Sequence, residues 1–530
     1  MPVRQTTSVL SIFVPWAVLL ASVMFAAIVR TRLLQIPLER DEGEYAYAGQ
    51  LLLQGIPPYG ELFNMKFPGT YAAYALIMAI FGQSIAGIHI GFLLCNTAAI
   101  VLVFFLGRRL YGVSAGAASS AAYGLLSIGA GVNGTQGHAT HLIVLVVLAG
   151  SSLLLYAVFT SRTTYLLSSG FFFGLGILMK QHAVFFAIFG AVYLAWEQGI
   201  TRRKLETPAL LSLMIYLAGL SVPLAFTSIA LWRAGVFGQF WFWTFTYGRQ
   251  YVLETTLADG ISELSVSFSH VVGPNLLLWI FAAAGLLLTW WRNQFRMAAR
   301  FTTSLLLFSF LGVCPGLYFR EHYFVIMLPA VALFIGAALR SLQGLFGNVP
   351  SYLYLGVLLF SLSQQSEFLF RLSPHQAARM MYSINPFPEA IPVADYLRSH
   401  TSEGERIAVL GSEPEIYFYA HRRSVTGYIY TYAMMEPQPY ALSMQNAMIH
   451  DIETARPAYV VLATVSTSWI IRATSSRHIF EWWNAFWPQR YKKVGVVEVT
   501  HSGQTKYNWD NVESYEPKSG VILEVYQRRD

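Results

Sequence analysis

The residues with the clearest chemical potential lie in one short segment near the N-terminus. Residues 36–71 read IPLERDEGEYAYAGQLLLQGIPPYGELFNMKFPGTY, and they interleave acids with bases, among them Asp41, Glu42 and Lys66. Carboxylates at a lipid surface are costly unless they are paired or functional, and positioned carboxylates can exchange protons with a substrate. Either a functional site or a solvated acidic loop explains the segment, and the interleaved charges favour the site.

Two helices are expected to position these residues. Residues 45–53 have an apolar-leaning helical pattern. A helix there would hold Asp41 and Glu42 at its N-terminal end, where the helix dipole favours negative charge. Residues 69–82 (GTYAAYALIMAIFG) are apolar but too short to cross a bilayer. They predict an interfacial or re-entrant helix that keeps the preceding loop at the membrane surface.

Composition sets the class of protein. Of 530 residues, 55% are apolar and only 12% are charged, and the mean hydropathy is +0.47. This excludes a disordered chain and argues against a single soluble enzyme, because soluble domains carry about twice this charged fraction. The two cysteines are too few for a disulfide framework or a cysteine-rich metal site. A polytopic α-helical membrane protein is therefore predicted.

Apolar runs long enough to form membrane helices define the first domain. The predicted spans are 9–29, 84–106, 113–131, 139–160, 165–179, 182–196, 208–232, 270–291, 301–318, 322–340 and 351–370. The fifth and sixth runs are short, and they form either two spans or one helical hairpin. The pattern predicts about 11 spans in a transmembrane domain over residues 1–370.

The distribution of positive charge predicts the orientation of these spans. With the N-terminus in the cytoplasm, the inside loops hold eleven lysines and arginines and the longer outside loops hold eight. Cytoplasmic loops carry an excess of positive charge, and the net charge of +7 arises in this half rather than in a nucleic-acid-binding arm. Arg4 and residues 202–204 support this orientation, whereas Arg30 and Arg32 oppose it. An odd number of spans then places residues 36–71 and the C-terminal region outside.

The composition changes after about residue 371. From there the chain holds 16 basic and 16 acidic residues. Its apolar runs shrink to strand length at 406–410, 458–462, 494–499 and 521–526, and helical patterns separate them, for example at 391–399 and 413–420. This alternation predicts a soluble α/β domain over residues 371–530. The Trp-rich stretch 480–493 is expected to pack within the protein or rest on the membrane.

The first loop also carries a recognisable motif. It combines D-E-x-x-Y-A, a Pro-Tyr pair and K-x-P-G, formed by Asp41, Glu42, Tyr45, Ala46, Pro58, Tyr59, Lys66, Pro68 and Gly69. One span followed by such a loop resembles the GT-C glycosyltransferases, in particular the group with protein O-mannosyltransferases, aminoarabinose transferases and bacterial lipopolysaccharide sugar transferases. Residues 322–336 and 407–423 resemble a late span and the outer domain of such proteins.

The resemblance implies a GT-C-type bundle in the bacterial inner membrane and a polyprenyl-phosphate sugar as donor. The acceptor would be a lipid, a glycan or a protein, and no cofactor is expected. Asp41 corresponds to the family's catalytic base, which takes the acceptor's proton during an inverting transfer. Glu42 is then either a neighbour that raises the pKa of Asp41 or a ligand for an acceptor amine. Lys66 corresponds to a lysine that meets the lipid phosphate, or else it is a snorkelling interfacial lysine.

Further candidates lie outside the first loop. Arg320 and Lys180 are isolated cations on the predicted outer side, and each either binds the donor phosphate or pairs with an acid. Acceptor or sugar contacts are predicted for Tyr45, Tyr59, His138, Tyr247 and Arg249. His138 also suits a plain polar helix start, and the aromatic stretch 237–251 also suits an interfacial anchor. Residues 129–141 lack the second acid that many family members carry, so no metal site is predicted.

Two other classes of protein compete with the enzyme. A transporter or lipid flippase would place ionisable residues deep in its spans, with broken helices and repeat symmetry. The charges of this chain cluster at one surface instead. A scaffold with a soluble sensor domain is the third class, and an Asp41 variant that folds but does not turn over would separate the enzyme from both.

Overall fold

A computed structural model describes residues 9–201, 205–510, 512 and 515–529. Arg4 and residues 202–204, which entered the orientation argument, lie outside these ranges. The helices up to residue 370 are α1 (Val9–Arg32), α2 (Arg40–Leu53), α3 (Pro68–Phe81), α4 (Ile85–Tyr111), α5 (Val113–Leu126), α6 (Ala139–Thr160), α7 (Thr164–Met179), α8 (Val184–Gly199), α9 (Ala209–Arg233), α10 (Phe237–Trp241), α11 (Gly248–Val252), α12 (Leu257–Val272), α13 (Leu276–Trp291), α14 (Arg296–Val313), α15 (Leu328–Phe346), α16 (Val349–Gln364) and α17 (Ser366–Phe370). A π-helical stretch, Phe242–Tyr247, joins α10 to α11.

Short helices and strands alternate in the C-terminal region. The helices are α18 (Pro374–Tyr382), α19 (Phe387–Ser399), α20 (Glu415–Ala420), α21 (Tyr432–Met435), α22 (Ala441–Ala455), α23 (Ser466–Trp469) and α24 (His478–Arg490). The strands are β1 (Arg406–Leu410), β2 (Arg423–Ser424), β3 (Tyr459–Thr464), β4 (Tyr491–Val499), β5 (Thr505–Trp509) and β6 (Ile522–Arg528). The four predicted strands are present, and β2 and β5 are additional.

Helices occupy all the predicted spans, but their lengths differ. In the described part of the chain, six stretches are long and apolar enough to cross a membrane: Phe13–Arg32, Ile85–Tyr111, Ala139–Thr160, Ala209–Arg233, Leu257–Trp291 and Glu321–Phe346. The predicted number of about 11 spans is not confirmed. Helices α5, α7 and α8 have 14, 16 and 16 residues, and at 1.5 Å per residue they are shorter than a typical hydrocarbon core of about 30 Å.

The chain forms two compact units, and each gathers several stretches of sequence. Unit 1 comprises residues 1–34, 89–228 and 255–372, so far as they are described. Unit 2 comprises residues 35–88, 229–254 and 373–530, again within the described ranges. One boundary between the two units lies between residues 372 and 373. Unit 2 additionally contains the charged loop and the aromatic segment.

Unit 1 is a helical bundle around α15. This helix is buried along most of its length and packs against α5, α13, α14 and α16. Gly285 of α13 lies directly against the backbone of Phe334, and Gly336 of α15 lies against the backbone of Ala115. A side chain at either glycine would overlap the neighbouring helix, so small residues allow the close packing that is common among membrane helices.

Arg30 and Arg32, which oppose the predicted orientation, have structural partners in unit 1. The Arg30 guanidinium donates to the carbonyl oxygens of Gly134 at 2.6 Å and Thr135 at 3.2 Å. The Arg32 guanidinium donates to the carbonyl oxygen of Leu369 at 2.9 Å. Both side chains satisfy buried or half-buried backbone carbonyls, which is a sufficient reason for arginine at these positions.

Unit 2 contains a mixed six-stranded sheet with the order β2-β1-β3-β6-β4-β5. The pairs β1–β2 and β1–β3 are parallel, and β3–β6, β6–β4 and β4–β5 are antiparallel. Ala408 pairs with Val460, and Val461 pairs with Val525. These residues are almost completely buried, so the β1, β3 and β6 runs form the centre of the sheet.

Helix α2 packs within unit 2 against α3 and α20. A Cβ atom at Gly43 would lie 2.6 Å from Cβ of Glu415, and one at Gly49 would lie 2.9 Å from the backbone nitrogen of Ala75. Only glycine fits at both contacts. The charged loop is therefore built into the same unit as the C-terminal sheet.

Candidate active site

Helix α2 begins at Arg40 and, as predicted, carries Asp41 and Glu42 in its first turn. Glu39 and Glu42 form a capping box. The Glu42 backbone N–H donates to Glu39 Oε1 at 3.0 Å, and the Glu39 backbone N–H donates to Glu42 Oε2 at 3.3 Å. This reciprocal arrangement fixes the start of the helix, so the structure gives Glu42 a capping contact.

Lys66 lies between two carboxylates of α2. Its Nζ donates to Asp41 Oδ1 at 2.7 Å and to Glu44 Oε2 at 2.7 Å. Residues three apart on a helix share one face, which brings both carboxylates to the same ammonium group. The Tyr430 hydroxyl also donates to Asp41 Oδ1, at 2.7 Å. Asp41 thus accepts hydrogen bonds from Lys66 and from a residue of the C-terminal region.

Glu44 has further donors. The Tyr71 hydroxyl donates to Glu44 Oε1 at 2.6 Å, and Asn64 Nδ2 donates to Glu44 Oε2 at 2.9 Å. The Glu44 side chain is fully buried. Since buried carboxylates are costly without partners, these contacts account for a charge in the interior. Glu44 is therefore a buried, well-satisfied partner that holds the Lys66 ammonium in place.

Two of the predicted contact residues, Tyr45 and Tyr59, contact Lys66. The Lys66 Nζ lies 4.7 Å from the ring centroid of Tyr45 and 5.1 Å from that of Tyr430. The Tyr59 hydroxyl donates to the carbonyl oxygen of Lys66 at 2.6 Å. Tyr45 is 2% exposed and Tyr59 is completely buried. The structure thus gives both tyrosines contacts to Lys66 inside the unit.

Solvent access separates the acids at the start of α2. The Asp41 side chain is 23% exposed, whereas Glu39, Glu42 and Glu44 are all buried. A molecule from outside the chain reaches a carboxylate only where that carboxylate is exposed. Asp41 is therefore the most accessible of these four carboxylates.

Burial and charge act in opposite directions on the cluster. Burial by itself lowers the pKa of Lys66, but the carboxylates of Asp41 and Glu44 outweigh burial, and the pKa lies well above its ordinary value. Burial raises the pKa of Glu44, and Lys66 partly offsets this rise. Lys66 consequently stays protonated at neutral pH and holds a positive charge beside Asp41.

Arg40 anchors the first turn of α2 to the loop after β1. Its Nη2 donates to Glu413 Oε1 at 2.8 Å, and its Nη1 donates to the hydroxyl of Tyr432 at 2.9 Å. Its guanidinium also lies 5.3 Å from the ring centroid of Phe387. Arg40 and Glu413 are both buried. Removal of either partner would leave a buried unpaired charge, so this pair helps to fix Asp41.

The aromatic segment 237–251 belongs to the same unit. The Tyr247 hydroxyl donates to Glu436 Oε2 at 2.6 Å, and both side chains are buried. Burial raises the pKa of Glu436 to about 7, although the hydrogen bond from Tyr247 acts against the rise. Arg249 is exposed. Tyr247 therefore contacts the C-terminal region, while Arg249 faces outward.

Unit 1 brings together a second group of predicted residues. The Lys180 Nζ lies 3.9 Å from the ring centroid of Tyr323. His322 packs edge-on against Tyr323 with centroids 4.8 Å apart, and it stacks on His138 at 4.0 Å. His138 is buried. Lys180 and His138 thus belong to one cluster of basic and aromatic side chains.

Arg320 and an apolar cavity are further features of unit 1. The Arg320 side chain is exposed, with its guanidinium 5.8 Å from the ring centroid of Tyr318.

The apolar cavity of unit 1 has a volume of about 410 Å³. Its lining includes Trp279, Leu286, Leu306, Phe310, Met327 and Phe334. Such a space suits a hydrocarbon chain.

Sequence reasoning missed three residues of the unit 2 cluster. Glu44 could have been found, because it lies three residues after Asp41 on a predicted helix. Tyr430 and Glu436 gave no signal, since nothing in a sequence joins them to residues 41 and 247.

The predicted site residues fall in two groups, with Asp41, Glu42, Tyr45, Tyr59, Lys66, Tyr247 and Arg249 in unit 2 and His138, Lys180 and Arg320 in unit 1.

Comparisons with known proteins bear on this arrangement. A family model described as dolichyl-phosphate-mannose-protein mannosyltransferase matches residues 66–232, about a third of the chain. No curated protein sequence matches significantly.

Two solved structures resemble the whole chain. The oligosaccharyltransferase AglB from Archaeoglobus fulgidus, in complex with an inhibitory peptide and a dolichol-phosphate, is 12% identical, with a TM-score of 0.54 over 97% of this chain and 76% of that one. ArnT from Cupriavidus metallidurans, bound to undecaprenyl phosphate, is 14% identical, with a TM-score of 0.59 over 96% of this chain and 98% of that one. These similarities confirm the predicted resemblance to GT-C glycosyltransferases, and the chain has the GT-C fold.

Proposed function

We propose that this chain is a membrane glycosyltransferase that moves a sugar from a polyprenyl-phosphate donor to an acceptor. The observation that carries the proposal is the half-buried Asp41 carboxylate, held by Lys66 and Tyr430 at the start of α2. The GT-C fold and the match to a mannosyltransferase family model support the reaction class. The bacterial inner membrane is the proposed location, with Asp41 facing its outer side.

Asp41 is the proposed general base. The acceptor hydroxyl attacks the anomeric carbon and transfers its proton to the Asp41 carboxylate. A bond forms between the acceptor oxygen and the anomeric carbon while the bond from that carbon to the phosphate oxygen breaks. The electron pair of the broken bond leaves with polyprenyl phosphate. A single displacement of this kind inverts the anomeric centre, and one carboxylate suffices because the leaving phosphate needs no protonation.

In the proposed mechanism, Lys66 supports the general base, Asp41, and does not bind the donor phosphate. Its ammonium already contacts two carboxylates at 2.7 Å, so a donor phosphate would have to displace one of them. We therefore infer that Lys66 holds and orients Asp41. The phosphate contact predicted from the family motif remains the alternative for Lys66.

The donor is assigned to residues of unit 1. Lys180 contacts the neutral ring of Tyr323, and Arg320 is exposed. These cations are proposed to bind the phosphate and to stabilise the charge that grows on it as the sugar departs. The apolar cavity of about 410 Å³ is proposed to hold part of the prenyl chain. The complexes of AglB and ArnT with dolichol-phosphate and undecaprenyl phosphate make a prenyl phosphate ligand reasonable.

Release of polyprenyl phosphate tests this proposal. Purified wild type, Asp41→Asn and the matched control Asp395→Asn would be given a panel of polyprenyl-phosphate sugars and a cell-envelope extract. Asp395 is an exposed residue of α19, so its variant should behave like wild type. Asp41→Asn should lower the rate by about 10²- to 10⁴-fold, the usual contribution of a general base.

Two results would contradict the proposal in different ways. Near-normal release by folded Asp41→Asn would exclude Asp41 as the base while leaving the reaction class intact. Absence of release with every donor, from wild type shown to be folded, would favour a transporter or flippase. A flux assay in liposomes would then follow.

A further inference from the structure

Tyr430 is a residue of the C-terminal region that contacts the proposed base directly. Its hydroxyl donates to Asp41 Oδ1 at 2.7 Å, and the Lys66 Nζ donates to the same oxygen at 2.7 Å. The Lys66 ammonium also lies 5.1 Å from the centroid of the Tyr430 ring. Two donors on one oxygen fix both the position and the plane of the carboxylate.

The backbone around Tyr430 is held firmly. Ile429 and Thr431, its neighbours in the chain, are completely buried. The Thr431 backbone N–H donates to Ser412 Oγ at 2.9 Å, and Thr431 Oγ1 donates to the carbonyl oxygen of Ser468 at 3.0 Å. Hydrogen bonds to the loop after β1 and to helix α23 therefore leave Tyr430 little freedom to move away from Asp41.

The segment that carries Lys66 is tied to the segment that carries Tyr430. The Phe63 backbone N–H donates to the carbonyl oxygen of Gly427 at 2.8 Å. A Cβ atom at Gly427 would overlap the Phe63 ring, so only glycine permits this approach. Lys66 and Tyr430 thus lie in segments that a backbone hydrogen bond joins.

We infer that Tyr430 is a positioning residue for Asp41, so that one side chain of the C-terminal region belongs to the catalytic unit. The inference rests on the proposed role of Asp41 as base. Tyr430 transfers no proton. Its hydrogen bond stabilises the charged carboxylate and keeps the exposed part of Asp41 turned toward the acceptor, as preorganised catalytic groups require.

The test replaces one hydroxyl and uses a matched control from the same segment. Tyr430→Phe removes the donor to Asp41. Tyr428→Phe makes the same change two residues away, where the ring packs on Phe63 and Trp243. Both proteins would first be compared with wild type by gel filtration and thermal unfolding in detergent.

Kinetics give the first readout. Tyr430→Phe should lower kcat about tenfold or more, with KM for the donor within about twofold of wild type, because a hydrogen bond to a charged group is lost. The acid limb of the rate profile should move to higher pH by about one unit, since the charged form of the base has lost a donor. Tyr428→Phe should match wild type in both respects.

A second readout needs no turnover. Modification of Asp41 by a water-soluble carbodiimide, followed by mass spectrometry across pH, reports directly on this carboxyl. The pH at which half of Asp41 is modified should move to a higher value in Tyr430→Phe and stay unchanged in Tyr428→Phe. Unchanged labelling in folded Tyr430→Phe would overturn the inference, whatever the assay of transfer shows.

The two proposals fail separately. An active Asp41→Asn variant would refute the proposed base but would leave the labelling result for Tyr430 interpretable. An inactive Asp41→Asn with a fully active Tyr430→Phe of unchanged pH profile would refute the role of Tyr430 while the proposed function stands.

Discussion

Lys66 and Lys180 are isolated lysines in a chain with few charges, and their surroundings differ. Lys66 lies in unit 2 and donates to two carboxylates, Asp41 and Glu44, at 2.7 Å each. Lys180 lies in unit 1, where its ammonium rests 3.9 Å from the centre of the Tyr323 ring beside two stacked histidines, His138 and His322. Lys66 contacts two acids, and Lys180 contacts an aromatic ring.

This difference is the basis for proposing separate tasks for two lysines that the sequence motif and charge pattern both linked to the donor phosphate. An ammonium shared by two carboxylates has its charge balanced and serves to hold them in place. An ammonium against an aromatic ring gains less from that contact than an ammonium paired with carboxylates gains from its ion pairs. The comparison teaches that the partners of a lysine, rather than its position at a predicted membrane surface, indicate whether it can bind phosphate.

Lys66→Met should have the larger effect of the two. Loss of the ammonium removes a preorganised partner of Asp41, and kcat should fall by about 10²- to 10³-fold with little change in KM for the donor. Steady-state release of polyprenyl phosphate measures both constants. Because Glu44 would be left buried without its cation, Lys66→Met with Glu44→Gln is the variant that preserves folding. A rise in KM alone would instead support the phosphate role for Lys66 and break the comparison.

Lys180→Met should act mainly on the donor. Removal of an ammonium that meets phosphate should raise KM for the donor about tenfold, the usual value of one hydrogen bond to a charged group. Lys492→Met, at an exposed position of β4, is the matched control and should change neither constant. If the dependence of the rate on donor concentration is the same in Lys180→Met and wild type, Lys180 is not a phosphate ligand.

Glu436 extends the comparison to a buried acid whose partner is a neutral hydroxyl, and its effect on turnover should be smallest. Its pKa is raised from about 4.5 to about 7, so the folded state holds a proton that the unfolded state loses. The stability gained is fully present below about pH 4.5 and is lost as the pH rises to about 7. Glu436→Gln should remove this dependence of the free energy of unfolding on pH, and it should change Tm by a few degrees.

Thermal unfolding in detergent between pH 5 and pH 8 measures how Tm changes with pH. Glu481→Gln, at an exposed position of α24, is the control and should keep it. A slope that persists unchanged in Glu436→Gln would mean that Glu436 is not the group responsible.

Much of the fold could be predicted from the sequence because apolar runs must be buried in lipid or protein. Every predicted span contains a helix, and the strand predicted at 406–410 has the observed bounds of β1. The number of spans could not be settled, since α5, α7 and α8 are shorter than a bilayer. The strands β2 and β5 were missed because one is very short and the other is polar.

The candidate site also has a part that could be predicted from the sequence and a part that could not. The local part, a helix that begins near residue 41 with acids in its first turn, follows from the helix dipole and from short-range pattern, and it could be read directly. Glu44 lies within reach of the same reasoning. Tyr430 lies almost 400 residues from Asp41 in the chain, and no pattern in a single sequence relates the two.

The sequence by itself determined that this protein is built from apolar helices and a C-terminal α/β region. It also placed acids in the first turn of α2 and Lys66 in the segment that follows this helix. Short-range forces and hydrophobicity act locally, so local residues record them. Only the tertiary structure decided that Lys66 pairs with Asp41 and Glu44 and that the C-terminal region supplies Tyr430. Such pairings depend on how distant segments pack together, and packing is a property of the whole chain.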